Sequence, residues 1–344
     1  MFDLNKIIRS NIKALTPYSS ARDEFSGQAS IYLDANENPF NTGFNRYPDP
    51  MQWTVKEKIA AIKKVKKENI LLGNGSDEVI DLLLRAFCEP KENNIITFPP
   101  TYGMYEVYGN INNVEIQKVS LTPDFQIDVA ATLKAINPQT KLIFVCSPNN
   151  PTGGSINPEA VKQLLKSFEG IIVIDEAYAD FSQQESWIGY LDIYPNLFVM
   201  QTFSKAWGLA ALRMGVGYAS PEIIKVLNKI KPPYNINELT QQAVLKKLES
   251  YADVQKEIEI LNKEREDLAK QLTDLPIVQK VYPSDANFVL AKVNDANKTY
   301  NYLVDKGIIV RNRNTVTLCE GCIRITVGTT EENKEVINAL KALK

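Results

Sequence analysis

Five short runs of apolar residues, separated by stretches with helical periodicity, constrain the fold of this chain most strongly. The runs are NIITF (94–98), KLIFVCS (141–147), GIIVID (170–175), LFVMQT (197–202) and MGVGYA (214–219). They are apolar at almost every position, as in strands that are buried on both faces. The middle of the chain therefore predicts an α/β fold with a mostly parallel sheet that is covered by helices.

The two ends of the chain differ from this middle part. Residues 1–50 contain several prolines and little periodicity, which is typical of an irregular arm. We expect residues 51–273 to form a large domain that ends in a connecting helix, and residues 274–344 to form a smaller α/β domain. The strands of the smaller domain are expected at NFVLAKV (287–293), GIIVR (307–311) and CIRITVG (322–328).

The composition excludes several classes of function. The formal net charge is -2, from 39 Lys and Arg against 41 Asp and Glu, so no excess of basic residues predicts a nucleic-acid surface. No apolar run reaches the roughly 20 residues that span a bilayer, and the start lacks the apolar core of a signal peptide, so we expect a cytoplasmic protein. The sequence contains no histidine, which excludes Ser-His-Asp catalysis and histidine-ligated metal sites, and we expect no metal centre.

Polar residues end several of the apolar runs, at the sheet edge where open α/β folds bind ligands. GIIVID ends in Asp175, and a carboxylate at the end of a buried strand favours a cationic partner, although a surface salt bridge or a helix cap would also explain it. KLIFVCS runs into SPNNPTGG, a turn whose Asn150 amide would face the same crevice. The segment LLGNGSDEVIDLLLRAF places a glycine turn and Ser76 ahead of an amphipathic helix, which is typical of a phosphate site or of an ordinary capped helix.

The stretch QTFSKAWGLAALRMG (201–215) holds an ammonium and a guanidinium, Lys205 and Arg213, among apolar residues. Apolar neighbours lower the pKa of a lysine, which makes it an amine nucleophile able to form a Schiff base. Pyridoxal 5'-phosphate needs such a lysine, an acid at its ring nitrogen, donors to its phenolic oxygen and a cationic phosphate cup. In that order, the residues that would supply them are Lys205; Asp175; Tyr178 with Asn150; and Thr202, Ser204, Arg213 and the Ser76 turn.

Motifs along the chain resemble those of a known family. SPNNPTG, IDEAY and TFSKAWGLAALRMG, in this order, resemble the fold-type I aminotransferases of the aspartate aminotransferase superfamily. Six further motifs narrow the resemblance to the histidinol-phosphate aminotransferase family and extend it over nearly the whole chain: LTPYSSAR (15–22), LDANENP (33–39), NRYPD (45–49), GNGSDEVIDLL (73–83), FPPTYGMY (98–105) and RITVGT (324–329).

The resemblance implies a role for each matching residue. Lys205, Asp175 and Tyr178 would be the catalytic residues, with Asp175 on the pyridinium. Tyr178 and Asn150 would hold the phenolic oxygen, and Tyr102 would stack on the ring. The cofactor phosphate would be bound by Thr202, Ser204, Arg213, the backbone at Ser76 and Asp77, and Tyr47 from the second subunit of a homodimer. The substrate would be bound by Tyr18, Asn36, Asn287, Arg311 and Arg324, the two arginines meeting its anion.

The reaction that the resemblance implies is transamination of L-histidinol phosphate with 2-oxoglutarate, giving imidazole-acetol phosphate and glutamate in histidine biosynthesis. An aromatic amino-acid aminotransferase or a pyridoxal-phosphate-dependent phosphoamino-acid decarboxylase would share the cofactor site. A ligand-sensing domain of a transcription factor would need a DNA-binding region, for which we expect no room in 344 residues. Instead of binding the substrate anion, Arg311 could be a solvated arginine of the RNRN loop.

Overall fold

A seven-stranded sheet runs through the part of the chain that this computed structural model describes, residues 2–17 and 30–343. Its spatial order is β1-β7-β6-β5-β4-β2-β3. The strands are β1 (Ile70–Asn74), β2 (Asn94–Thr97), β3 (Glu115–Lys118), β4 (Thr140–Cys146), β5 (Ile171–Asp175), β6 (Leu197–Thr202) and β7 (Met214–Ala219).

The sheet is mostly parallel. Neighbouring strands are parallel from β3 through β2, β4 and β5 to β6. Strand β7 runs antiparallel to both of its neighbours, β1 and β6. Alternate residues of β5 enter two different cores: Ile172 and Ile174 pack on one face of the sheet, and Ile171 and Val173 pack on the other. Burial on both faces explains why these strands are apolar at every position. Strands β1 and β3 are not among the predicted ones.

Helices cover both faces of this sheet. They are α1 (Leu4–Ile7), α2 (Ser10–Ala14), α3 (Trp53–Lys63), α4 (Gly75–Phe87), α5 (Met104–Ile111), α6 (Val129–Ala135), α7 (Pro158–Ser167), α8 (Pro221–Ile230), α9 (Glu238–Glu249) and α10 (Tyr251–Thr273). The expectation of an irregular arm is wrong for α1 and α2, because Ile7 packs into the core beside α4 and fixes a short helix there. None of the helices in the described ranges combines the length and apolarity that a bilayer crossing requires.

A second sheet, of four antiparallel strands in the order β10-β11-β9-β8, follows α10. Its elements are β8 (Val278–Val281), β9 (Phe288–Val293), α11 (Ala296–Asp305), β10 (Arg311–Asn312), β11 (Cys322–Thr326) and α12 (Thr330–Ala342). The prediction of a strand at GIIVR is wrong except at Arg311. The N–H groups of Gly307 and Ile308 bond to Val304 O and Leu303 O at the end of α11, so this backbone closes a helix and joins no strand.

The strand registers bring several chain segments to one edge of the large sheet. Cys146 at the end of β4 lies opposite Asp175 at the end of β5, and Thr202 at the end of β6 lies opposite Gly215 near the start of β7. Asn74, which ends β1, pairs with Met214 on the other side of β7. Side chains that follow these positions therefore converge.

Candidate active site

An open cleft of about 490 Å³ lies at this edge of the sheet. It is lined by Ser76, Asp77, Tyr102, Cys146, Asn150, Asp175, Ala177, Tyr178, Thr202, Ser204, Lys205 and Arg213. The structure thus brings together every residue that the sequence predicts around the cofactor except Tyr47. Cys146 and Ala177 also line the cleft and were not predicted, because neither side chain carries a chemical signal of its own.

Lys205 lies in a tight loop between β6 and β7. The loop is closed by two backbone bonds, from Phe203 N to Met214 O and from Leu209 N to Phe203 O, both 3.0 Å long. The Lys205 ammonium lies 5.7 Å from the centre of the Tyr178 ring. Burial lowers the pKa of Lys205, and the nearby positive charge of Arg324 lowers it further. The loop therefore presents an amine that loses its proton more readily than an ordinary lysine.

Large aromatic side chains hold this loop in place. Trp207 is buried and packs against Phe203, with ring centres 4.9 Å apart, and is stacked on Tyr251 of α10 at 5.5 Å. Such contacts bury large apolar areas and restrict the backbone between them. The position of Lys205 is consequently fixed by packing on its C-terminal side.

Asp175 is a buried carboxylate, 2% exposed, that makes no ion pair with any described residue. One oxygen accepts a bond from the Tyr105 hydroxyl at 2.6 Å, and the other accepts one from the Ala177 N–H at 3.0 Å. Burial raises the pKa of Asp175 to about 6, although both hydrogen bonds act against that rise. A carboxylate held in this way is neither a surface salt bridge nor a helix cap, and it retains a strong affinity for a cationic group.

The first turn of α4 meets the start of β7 at the cleft. The helix begins at Gly75, so Ser76 and Asp77 lie within its first turn. The prediction that Ser76 lies ahead of the helix is therefore wrong. A Cβ on Gly215 would come within 2.3 Å of Ser76 N, so only glycine allows this close approach. The Asn74 side chain makes no capping bond among the described residues, and the Gly75 N–H bonds to Arg213 O at 2.7 Å, so the following N–H groups of the first turn of α4, at Ser76 and Asp77, lie beside the cleft without a side-chain cap.

Hydroxyl groups and a guanidinium surround this helix end. Arg213 has a positive φ of 53°, and its guanidinium lies 3.4 Å from Ser204 Oγ and 3.5 Å from a carboxylate oxygen of Asp77. Thr202 donates to Ser204 Oγ at 3.0 Å. Hydroxyls, a guanidinium and uncapped amides together form a site for a phosphate group.

Comparisons with known proteins match this architecture. The family described as aminotransferase class I and II matches residues 31–340. The histidinol-phosphate aminotransferase of Flavobacterium johnsoniae is 57% identical over 345 positions, which cover 99% of this chain and 99% of the relative. This chain belongs to the histidinol-phosphate aminotransferase family.

Solved structures share the fold of the chain. The histidinol-phosphate aminotransferase from Clostridium acetobutylicum matches with a TM-score of 0.81 at 26% identity, covering 88% of this chain and 91% of that one. The one from Sinorhizobium meliloti, solved in complex with pyridoxal-5'-phosphate, matches with a TM-score of 0.79 at 23% identity over 86% and 82%. The predicted α/β fold of the fold-type I aminotransferases, with a mostly parallel large sheet and a smaller second unit, is confirmed.

The smaller sheet contributes Arg324 to the rim of the cleft. Its guanidinium donates to the Asn150 side chain and lies 5.0 Å from the centre of the Phe288 ring. Burial, together with the charge of Arg313, lowers the pKa of Arg324 to about 10. Arg311 lies directly opposite Arg324 in the ladder between β10 and β11. Asn287 precedes Phe288 and does not line the cleft.

The remaining predicted family residues lie elsewhere in this chain. Tyr47 is stacked on Tyr234, with ring centres 4.3 Å apart, and both line a second cavity together with Asn36. Within one chain Tyr47 and Asn36 therefore do not line the cleft that contains Lys205. Tyr18 lies outside the described residues.

Two neighbours of the site were missed from the sequence. Tyr105 is fully buried in α5 and reaches Asp175, but its motif gives no indication of which atom its hydroxyl meets. Arg313 follows β10, and its positive charge acts on both Tyr178 and Arg324. The RNRN segment predicts an exposed loop. Only the strand register of the small sheet could have shown that Arg313 lies on the same face as Arg324.

Proposed function

We propose that this protein transfers the amino group of L-histidinol phosphate to 2-oxoglutarate with pyridoxal 5'-phosphate as its cofactor. The observation that carries the proposal is the presence, in one cleft, of an amine with a lowered pKa, Lys205, and a buried carboxylate, Asp175, that forms no ion pair within the described part of the chain. The name of the relative from Flavobacterium johnsoniae, histidinol-phosphate aminotransferase, supports the choice of substrate. We also propose that the protein is cytoplasmic. Its large domain would comprise residues 51–273, and its small domain residues 274–344.

The residues of the cleft fit this cofactor. Asp175 would face the protonated ring nitrogen, which supplies the cation that the buried carboxylate lacks. The uncapped start of α4, with Arg213 and Ser204 beside it, would bind the phosphate. Tyr102, which donates to Asp77 at 3.2 Å, would lie along the ring. When bound, the cofactor supplies an electron-accepting ring next to the substrate carbon.

Proton transfer is the task of the protein's own groups. Lys205, whose pKa burial lowers, would take the proton from the substrate carbon and return it to a carbon of the cofactor. Burial raises the pKa of Tyr178, so its hydroxyl stays protonated and acts as a donor, with Asn150 beside it, to the phenolic oxygen. Asp175 would hold the proton at the ring nitrogen during the reaction.

A direct assay tests the proposed substrate. We expect the purified protein with its cofactor to convert histidinol phosphate far more efficiently than phenylalanine, and not to decarboxylate threonine phosphate. The measurement is kcat/KM for each compound, with glutamate formation followed for the two amines and carbon dioxide release for threonine phosphate. Preference for phenylalanine, or carbon dioxide release, would instead support one of the two related enzyme classes.

Arg311→Ala should separate the two half-reactions. A phosphate monoester carries more negative charge than the α-carboxylate of glutamate, so it should lose more when one guanidinium is removed. We expect the KM for histidinol phosphate to rise about 10- to 100-fold, from the 1.5 to 3 kcal/mol of a charged hydrogen bond, and the KM for glutamate to rise less. Arg324→Ala should impair both half-reactions, because Arg324 lies nearer to the cleft through Asn150. Equal losses for both substrates in Arg311→Ala, or none, would remove Arg311 from phosphate recognition.

We further propose that the protein is a homodimer in which Tyr47 completes the partner's site. The arm exposes large apolar side chains that a monomer would leave in water, since Ile31, Leu33, Phe40 and Phe44 are each more than 60% exposed. Covering these side chains with a second subunit would bring the arm close to a neighbouring cleft. Asn36 would approach the substrate in the same way.

Mixed dimers test the shared site. Lys205→Ala and Tyr47→Ala should each be poorly active alone, whereas a refolded mixture should regain activity. In a mixed dimer, one of the two sites combines an intact Lys205 with an intact Tyr47 from the other subunit. Activity of the mixture and sedimentation at micromolar concentration are the measurements. A fully active monomer, or a mixture no more active than its parts, would contradict the shared site.

A further inference from the structure

Three arginines lie on one face of the small sheet. The ladder pairs Arg311 with Arg324, and it continues by one more bond, from Arg313 N to Cys322 O at 2.9 Å. Because side chains alternate between the faces of a sheet, Arg313 lies on the same face as Arg311 and, across the ladder, as Arg324. The family resemblance implies a role at the substrate anion for Arg311 and Arg324, and it implies none for Arg313.

Arg313 carries a positive charge that no described carboxylate neutralises. Its side chain is partly buried, and its Nε is fully buried without a hydrogen-bond partner among residues 2–17 and 30–343. Burial lowers the pKa of Arg313, and the charge of Arg311 lowers it further. Placing an unpaired guanidinium beside two other cations costs free energy, and an anion bound among them would offset this cost.

The charge of Arg313 acts on two groups of the candidate site, although Arg313 does not itself line the cleft. Its charge acts on Arg324 more strongly than the charge of Arg311 does, and it is felt by Tyr178 in the cleft. The loop that carries it is held by backbone bonds, including Val316 N to Arg313 O at 2.9 Å and Cys319 N to Val316 O at 2.9 Å. The guanidinium is therefore available for a ligand, since the loop does not depend on it.

We infer that Arg313 binds the phosphate monoester of the substrate and selects its dianion. The inference rests on the proposed function and deepens it. A carboxylate offers one charge and two oxygens, which two guanidinium groups can satisfy, whereas a phosphate monoester offers up to two charges and three oxygens. Arg313 supplies the third guanidinium, so it acts on the phosphorylated substrate and little on glutamate.

Arg313→Gln tests this role in the full-length protein loaded with cofactor. We expect the KM for histidinol phosphate to rise about 10- to 100-fold and the KM for glutamate to change less than about threefold, while Arg313→Lys recovers part of the loss. Arg85→Gln, at an exposed arginine of α4, is the matched control and should change neither value. Equal losses for both substrates would overturn the inference, as would no loss for either.

The pH dependence of binding gives a readout that a structural role would not change. A phosphate monoester loses its second charge below about pH 6, so the wild-type KM for histidinol phosphate should rise steeply as the pH falls from 8 to 5. In Arg313→Gln this rise should be much smaller, because the group that selects the second charge is gone. An unchanged pH profile in the variant would overturn the inference.

Inorganic phosphate separates this inference from the proposed function. With the cofactor bound, its phosphate would occupy the site at α4, so added phosphate is expected to compete at the substrate anion site. We expect phosphate to inhibit the glutamate half-reaction of the wild-type protein, and to do so about tenfold more weakly in Arg313→Gln. If the wild-type protein fails to use histidinol phosphate, the proposed function is wrong, but phosphate competition still tests the role of Arg313. Weaker competition in Arg313→Gln supports the inference, and unchanged competition overturns it.

Discussion

Lys205→Ala is expected to lower the rate of transamination by several orders of magnitude while leaving the protein folded and able to bind its cofactor. The cofactor phosphate would still meet Arg213, Ser204 and the start of α4, none of which depends on Lys205. What disappears is the amine that moves the proton between substrate and cofactor carbons. Single-turnover kinetics with glutamate, together with the cofactor content of the variant, measure the two effects separately.

Chemical rescue distinguishes a lost base from a damaged site. Because the lysine side chain leaves a space open to the cleft, added methylamine should restore part of the rate in Lys205→Ala, more strongly at a pH where the amine is neutral. Lys225→Ala removes an exposed lysine of α8 and should behave as wild type. Near-normal turnover of Lys205→Ala without any added amine would contradict the proposed chemistry as a whole.

The strands that could be predicted from the sequence are buried on both faces and have a long apolar run; β1 is also buried but was missed, because its run of large apolar residues covers only Ile70, Leu71 and Leu72. β6 and β7 have the bounds expected for LFVMQT and MGVGYA, because each apolar run ends where the backbone leaves the sheet. β3 and β8 were missed because they are partly exposed edge strands without a continuous apolar run. Solvent on one side removes the compositional signal of such strands, and only pairing with a neighbour reveals them.

The same division applies to the candidate site. Lys205 and Asp175 could be predicted because parallel strands present their carboxyl ends at one edge, which makes the end of each apolar run informative. The bond from Tyr105 to Asp175 and the contact from Arg324 to Asn150 could not, since they join groups 70 and 174 residues apart. Long-range contacts of this kind depend on how the elements pack, which no local pattern records.

Asp175→Asn should reduce activity far more than it reduces cofactor affinity. The substitution keeps the size of the side chain, and its amide can still accept from Ala177 N and donate to the Tyr105 oxygen. It removes the charge that would hold a proton on the ring nitrogen, so the ring accepts electrons less readily. The measurements are kcat for both half-reactions and the dissociation constant of the cofactor. An unchanged rate would assign Asp175 to structure alone.

The same substitution should stabilise the protein once the cofactor has been removed. In the unfolded chain an aspartate titrates near its ordinary value of 3.8, whereas burial raises the pKa of Asp175 in the fold to about 6. Between these values the folded protein binds more protons than the unfolded chain, so the free energy of unfolding falls as the pH rises through this window. Above this pH window, ionisation of the Asp175 carboxyl lowers the free energy of unfolding by about 3 kcal/mol, because each pKa unit corresponds to about 1.36 kcal/mol.

Urea unfolding of the cofactor-free protein between pH 4 and 8 tests the sign of this effect. Asp175→Asn should unfold at a higher urea concentration than wild type near pH 8, and the difference should shrink towards pH 4, where the wild-type carboxyl is neutral in the fold and close to its titration midpoint in the unfolded chain. Asp253→Asn, at an exposed carboxylate of α10, should give no such pH-dependent gain. A variant less stable than wild type at pH 8 would mean that the carboxylate stabilises the fold. A more stable but inactive variant would mean that Asp175 is retained for the cation it is to meet, at a cost to the stability of the empty protein.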